Sequence, residues 1–516
     1  MKKRMVLGLL SIGLLLGGCG NKEASSTKEK EKSDSKQEIV LASERDVSRG
    51  NEDAYWTNLN LEVWEPLIGL DNSGKIIPVL AKEWEMSDDA KTWTFKLRED
   101  VSFSDDTKFD SSVVEKNFER YRKISPGSSS FFTLDIDKTY PGLKELKTID
   151  DYTFSLTFDN PMPTLPYTML NWGSPMVSPK CFDEKTGEFT KPVVGTGAFI
   201  IDKHQPEEFT EFVRNDNYWG EKAKTEKFKV RMIPEHDTRV AALKSDEIQG
   251  VYDNKAIQPL AAKELEETGK FDISSTLSAN IHYLQVNNAK EPLKNKEMKQ
   301  AISYAIDRET LLNDIYGGYG KVSGNLLSPL NSFYIKTPVE YNVEKAKKLS
   351  DNVLKGEKLK VSLLTTAQYQ TDCELISSWL SEIGLDVKIE VLEYEAQKER
   401  RQKGDYDLVM GFRGMDNADP ATMLSSFLSK DGYDNITYNM GYESKEATEL
   451  LNKLDNTFDM DKRKEMYDNI QKFGAEELPI IPLLGVDTTV ASSNKIQGYQ
   501  ANWTGVSVKT MAWSNK

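Results

Sequence analysis

Apolar and polar positions alternate with a period of two over Trp93, Phe95 and Leu97, with Thr94, Lys96 and Arg98 between them. That spacing predicts a strand with one buried face, and the similar run Tyr152 to Phe158 is its candidate partner. Between the two, Val114, Phe118 and Tyr121 recur at helical spacing behind Ser111 and Ser112, which predicts a helix over 111–121 with the serines as caps. Lys227 to Pro234 reads as a further strand and Thr238 to Ser245 as a helix. Strands and helices mix here without a strand-helix-strand rhythm, so this part of the chain is α+β.

From about Ile281 the pattern changes. Met298, Ala301, Ile302, Ala305, Ile306, Leu312 and Ile315 fall along one face of a helix over 298–316 that Gly317-Gly318 ends. Strand Leu359 to Leu364, helix Thr371 to Ile383, strand Val387 to Leu392, helix Glu395 to Lys403 and strand Tyr406 to Gly411 then alternate, which predicts parallel strands joined by right-handed crossovers. Lys445 to Phe473 reads as polar and helical, and Leu478 to Leu484 as an apolar strand returning toward a different region. The expected fold class is α/β, mixed α+β in its first part. Building one lobe, then a second, then returning is the plan of a two-lobed hinge protein. The expected boundaries are lobe I over 38–280 with an inserted subdomain of about 66–195, lobe II over 281–484, and a return to lobe I over 485–516.

The parallel arrangement places Phe412 to Pro420, dense in Gly, Asn, Asp and Pro, in a loop beyond the carboxyl end of a strand, where open α/β sheets bind ligands. Its aromatic Phe412, its Arg413 and its carboxylates Asp416 and Asp419 suit a recognition loop; the same composition suits a solvated turn equally well.

The N-terminus changes the picture. Lys2, Lys3 and Arg4 precede an apolar run from Met5 to Gly18 that is too short to span a bilayer, the pattern of an export signal over 1–18. It ends in Leu16-Gly17-Gly18-Cys19, which resembles the lipobox of bacterial lipoproteins and implies a lipid on Cys19. Residues 19–37, polar and without periodicity, form a flexible tether. The expectation is a body held by lipid on the outer face of the cell membrane, as in a Gram-positive bacterium.

At 516 residues, 38% hydrophobic and 29% charged, the chain suits two or three domains. Cleavage before Cys19 removes three positive charges from a formal −15, which argues against nucleic acid and for a cationic or zwitterionic ligand. The remaining cysteines, Cys181 and Cys373, are far apart in sequence, and whether they pair stays open. His204, His236 and His282 are scattered and read as surface or satisfied core residues, so no metal site or cofactor is expected. Gly195 and Gly197 lack a third glycine at Ile200, against a dinucleotide fingerprint. A secreted hydrolase, the remote alternative, would need a nucleophile motif; neither Gly-x-Ser-x-Gly nor His-Glu-x-x-His occurs, and no enzyme is expected.

Several motifs carry a resemblance: Glu65-Pro-Leu, Pro78-Val-Leu-Ala-Lys-Glu-Trp, Trp93-Thr-Phe-Lys-Leu-Arg-Glu-Asp-Val-Ser-Phe, Gly195-Thr-Gly-Ala-Phe, Asn217-Tyr-Trp-Gly, the helix around Ala301 to Ile306, and Gly404-Asp-Tyr-Asp-Leu. In this order they resemble the extracytoplasmic solute-binding proteins of ABC importers, family 5, the peptide- and nickel-binding group. The resemblance implies a monomer with a lobe I of two subdomains and an α/β lobe II. It would hold short peptides between the lobes and pass them to membrane permease subunits; the alternative is a nickel or metal-chelate binder. In peptide-binding members an aspartate in the loop after the lobe II strand pairs with the ligand's α-amino group. Phe412-Arg413-Gly414-Met415-Asp416-Asn417 resembles that loop, with Phe where tryptophan is usual and one extra residue. The resemblance thus makes Asp416 the amine partner and Asp419 its substitute. Nickel-binding members use an arginine in a lobe I loop; the matching Leu170-Asn171-Trp172-Gly173-Ser174 has none, and no histidine follows His282. Asn171, Trp172, Tyr55 and Trp56 are the expected cleft-lining residues of lobe I, and Asn417 of lobe II.

Overall fold

The computed structural model describes residues 38–47, 60–125, 136–170, 174–252, 257–414 and 419–514. Its main feature is an eleven-stranded sheet built around two long antiparallel neighbours, Phe271–Val286 and Ile480–Ser493. They pair from Phe271 with Ser493 to Leu277 with Asp487, the register shifts between Leu277 and Ile281, and pairing resumes at Ile281 with Gly485. A second shift falls between His282 and Tyr283, next to Pro482, which has no N–H to give the ladder. Toward one end of this pair the sheet continues through Gly250–Val251, Ile39–Ser43, Lys227–Met232, Phe209–Arg214 and Phe199–Gln205. Toward the other it continues through Leu408–Arg413, Leu359–Thr365 and Leu385–Val391.

The buried apolar side chains divide in the same way. One core joins Leu41, Trp64, Phe95, Phe154, Phe199 and Phe228 to Val490, Tyr499 and Trp503 from the end of the chain. Two others draw only on 281–484: Leu284, Met298, Leu363 and Leu408 in one, Ile281, Leu424, Phe427 and Tyr467 in the other. We call the residues around the first core lobe I and those around the other two lobe II. Leu330 is an exception, a residue from between lobe II elements that packs into the lobe I core.

Lobe I carries a separate four-stranded sheet in the order Ala81–Met86, Thr92–Leu97, Thr153–Phe158, Leu143–Asp150. The period-two strand and its expected partner do pair, Phe95 opposite Phe154 with rings 5.0 Å apart. The helix beside them, Ser111–Ile124, is capped by Asp110 instead of the serines: its carboxylate accepts from the N–H groups of Ser112 and Val113. Asp110 stands one residue ahead of the first helical turn, where a side-chain oxygen reaches those amides.

In lobe II the expected helix over 298–316 is two helices, Lys296–Ala305 and Arg308–Ile315. Ile306 is extended, and Asp307 caps the second by accepting from Thr310 N–H at 3.0 Å. The alternating segment forms a parallel trio with Leu359–Thr365 between Leu385–Val391 and Leu408–Arg413. Lys445 to Phe473 is also divided, into Lys445–Asp455 and Met460–Glu477, and the returning strand starts at Ile480 and runs on to Ser493. Cys181 and Cys373 are free, buried in different cores. Gly195 and Gly197 permit close backbone packing: a Cβ on either would lie about 2 Å from the carbonyl oxygen of Val63 or Glu62.

Candidate functional site

Strand Leu408–Arg413 extends two residues past Gly411, since Phe412 and Arg413 still pair with His282 and Ile281. Both residues therefore belong to the strand's carboxyl end and not to the loop in which the sequence reading put them. Alternation sends their side chains to opposite faces. Phe412 is 39% exposed and lies 6.0 Å from the Tyr369 ring, which meets His282 edge-on at 5.2 Å. Beneath them a polar chain is buried: the Tyr316 hydroxyl donates to Asp372 at 2.6 Å, and His282 Nδ1 lies 2.9 Å from the same phenol oxygen and donates to it. Burial pushes the Asp372 carboxyl up to about 6 against the opposing Tyr316 hydrogen bond; burial, then the Asp372 charge, raises the Tyr316 phenol. On the other face the Arg413 guanidinium lies 3.5 Å from the buried Asp434 carboxylate and over the Tyr433 ring.

Asp419 follows on the same side of the sheet as the cap of helix Pro420–Leu428 and is 7% exposed. One carboxylate oxygen accepts from Ala421 N–H at 3.0 Å and from the Tyr467 hydroxyl at 3.2 Å. The other accepts from the Thr164 hydroxyl at 2.6 Å. Thr164 is a lobe I residue, flanked by Met162 and Leu165 of that lobe's core. Tyr167 of the same short helix, Leu165–Thr168, packs on Phe333 at 5.2 Å, and Phe333 on Tyr467 at 5.1 Å. The carboxyl end of the 408–413 strand thus stands beside a junction between the lobes.

Of the residues singled out from the sequence, Phe412, Arg413 and Asp419 are among those described: Phe412 and Arg413 end the strand on its opposite faces, and Asp419 caps the helix that follows. Asp416, Asn417, Asn171, Trp172, Tyr55, Trp56 and Cys19 lie outside the described residues. Sequence reasoning missed Thr164, Tyr167, Tyr369, Tyr316 and Asp372; only the Thr164-Leu165-Pro166 run gave a signal, that of a helix start. The three histidines are satisfied within the protein, His204 by Asp46, His236 by Asp237 and Gln258, and His282 by Tyr316. Among the described residues no group of three or more His, Cys, Asp or Glu could hold a metal ion, and no helix is long and apolar enough to cross a membrane.

The motifs that carried the resemblance also acquire a physical role. Glu65 accepts from the Thr196 hydroxyl at 2.8 Å, the Tyr218 hydroxyl at 2.8 Å and the Trp219 indole N–H at 2.7 Å. Three separated motifs thereby converge on one carboxylate, whose pKa burial raises. They tie three separate segments of lobe I to one another.

Comparison with known proteins agrees with this geometry. The chain is 27% identical over 436 residues, 82% of each protein, to a probable D,D-dipeptide-binding periplasmic protein of Escherichia coli (strain K12). It is 26% identical over 456 residues, 84% of this chain and 86% of the other, to the nickel-binding periplasmic protein of the same organism. Among solved structures, a periplasmic binding protein from Helicobacter pylori in complex with the peptide STSA superposes with a TM-score of 0.70 at 27% identity, covering 92% of this chain and 98% of that one. The fold of a Brucella suis protein solved with Fe(III)-EDTA gives a TM-score of 0.80 at 20% identity, covering 92% and 99%. These neighbours are two-lobed binding proteins, and the mixed α/β architecture here is theirs. Residues 75–435 match the family model "Bacterial extracellular solute-binding proteins, family 5 Middle", so the chain belongs to that family of solute-binding proteins.

Proposed function

We propose that the protein captures short peptides between its two lobes and delivers them to the permease of an ABC importer. The observation that carries this reading is the placement of Phe412 and Arg413 at the carboxyl end of a lobe II strand, beside the contact of Asp419 with Thr164 of lobe I. Ligands of α/β sheets bind at such strand ends, and a ligand there would touch both lobes. Relatives named as dipeptide-binding, similar over four fifths of the chain or more, support peptides as the cargo. In this reading Asp416 pairs with the peptide's α-ammonium, since Asp419 already takes three protein donors. Phe412 and Asn417 face the ligand from lobe II with the backbone end at Arg413 beside them, and Asn171, Trp172, Tyr55 and Trp56 face it from lobe I.

The bodies that move are 38–280 with 485–516, including a subdomain at about 66–195, against 281–484, and the register shift between Leu277 and Ile281 is the hinge. A signal over 1–18 directs export and is removed, and lipid on Cys19 with a tether over 19–37 then holds the monomer outside the membrane.

Titration calorimetry with one peptide in free and N-acetylated forms tests the reading. Breaking a buried ion pair costs about 3 to 5 kcal/mol, two to three decades or more in affinity, so the acetylated peptide and the Asp416→Asn variant should each bind at least a hundredfold more weakly. Equal affinities for the two forms would remove Asp416 from the site. Binding of nickel with histidine in place of any peptide would move the assignment to metal chelates.

A further inference from the structure

The contact between Thr164 and Asp419 has features that a surface hydrogen bond lacks. Both residues are almost fully buried, 5% and 7% exposed. Thr164 precedes a helix, where a threonine hydroxyl ordinarily caps the first turn, yet its side chain caps nothing and turns to Asp419 instead. The carboxylate's other donors, Ala421 N–H and the Tyr467 hydroxyl, come from lobe II itself. Tyr467 is held in turn by the buried Arg463, whose Nε–H donates to the phenol oxygen at 3.1 Å. Among the described residues the Thr164 hydroxyl reaches this group from the lobe I side, and Tyr167 beside it packs against the cores of both lobes.

We infer that Thr164 is a positioning residue for ligand capture: its hydroxyl donates to the Asp419 carboxylate across the junction when the lobes are together, and so latches the closed form without touching the ligand. The inference rests on the reading that the lobes close around a solute. When the lobes part, water replaces the hydroxyl on the carboxylate oxygen at little cost. When they are together, a side chain without a donor forfeits this charge-assisted bond in a place that is nearly dry. The penalty therefore falls on the closed form alone, and a charge-assisted bond of this kind is worth about ten- to a hundredfold in its population.

The test uses the full chain with azidophenylalanine at the exposed positions Lys144 in lobe I and Lys388 in lobe II, coupled to dyes for single-molecule energy transfer. Dwell times in the closed form are measured without ligand and with a mixture of di-, tri- and tetra-alanine. Thr164→Val should shorten the closed dwell at least tenfold in both conditions and weaken affinity for the mixture by a similar factor. Thr164→Ser should restore both, and the melting temperature without ligand should stay that of the wild type. A Thr164→Val dwell within twofold of wild type overturns the latch, as does a wild-type chain that holds one fixed state. A wild-type chain that opens and closes with the expected Thr164 dependence but ignores the peptides supports the latch and removes peptides as the cargo.

Discussion

Replacing Glu65 by Ala and, separately, by Gln tests whether the convergence of motifs in lobe I is a source of stability. In the wild type one oxygen of Glu65 accepts from Tyr218 and the other from Thr196 and Trp219, all within 2.8 Å. Alanine leaves three donors without an acceptor in a half-buried place, at about 1 to 3 kcal/mol each. Burial also penalises the charge that is lost, as the raised carboxyl shows, and relieving it returns part of that cost. The expected net loss is about 3 to 5 kcal/mol, a large share of the stability of a typical domain, roughly 5 to 15 kcal/mol. Glutamine behaves differently. Its carbonyl oxygen can still accept from Thr196 and Trp219, and its amide can donate to the Tyr218 oxygen once that hydroxyl turns away, so the loss is about 1 kcal/mol. Urea unfolding at neutral pH, followed by circular dichroism and tryptophan fluorescence, measures both. A Glu65→Ala variant within about 1 kcal/mol of wild type refutes the reasoning, as does a Glu65→Gln variant equally damaged.

Two further predictions are independent of it. The folded state holds the Asp372 proton more tightly than the unfolded chain, its pKa raised from 3.8 to about 6, so the stability this group contributes is complete at low pH and lost as pH rises through about 6. At 1.36 kcal/mol per unit the loss is about 3 kcal/mol; Asp372→Asn should gain on wild type between about pH 4 and pH 7, and parallel stability curves would refute this. Cys19→Ala should release the protein from membranes in a fractionation experiment, since one lipid-bearing cysteine is the proposed anchor; continued retention would refute it.

What could be read from the sequence was what depends on neighbours along the chain. The strand at Trp93, Phe95 and Leu97 and the parallel trio of lobe II were legible because one-sided and two-sided burial leave periods in the text. The apolar face over 298–316 was legible too, but its break was not, because Asp307 costs one position of the pattern while its capping bond starts a new helix just after the extended Ile306 has ended the first. Phe412 and Arg413 read as loop because glycines surround them; only the pairing with Ile281 and His282 makes them strand. Nothing in the text relates Thr164 to Asp419, 255 residues apart. Likewise Glu65, Thr196 and Trp219 were seen as separate motifs because the carboxylate that unites them acts through space.

The return of the chain to lobe I sets a timetable for folding. The lobe's core is incomplete until Val490, Tyr499 and Trp503 exist, and Trp503 bonds to Leu70 O across 433 positions. At about 5 to 20 residues per second, a ribosome needs roughly 10 to 50 seconds to go from residue 252 to Trp503, and for most of that time lobe I lacks one of the two strands that flank Gly250–Val251. Contacts so distant in sequence close slowly and late. A nascent chain of this design cannot complete its first lobe while it is being made, and under the proposed export that incompleteness suits threading through a narrow translocation channel.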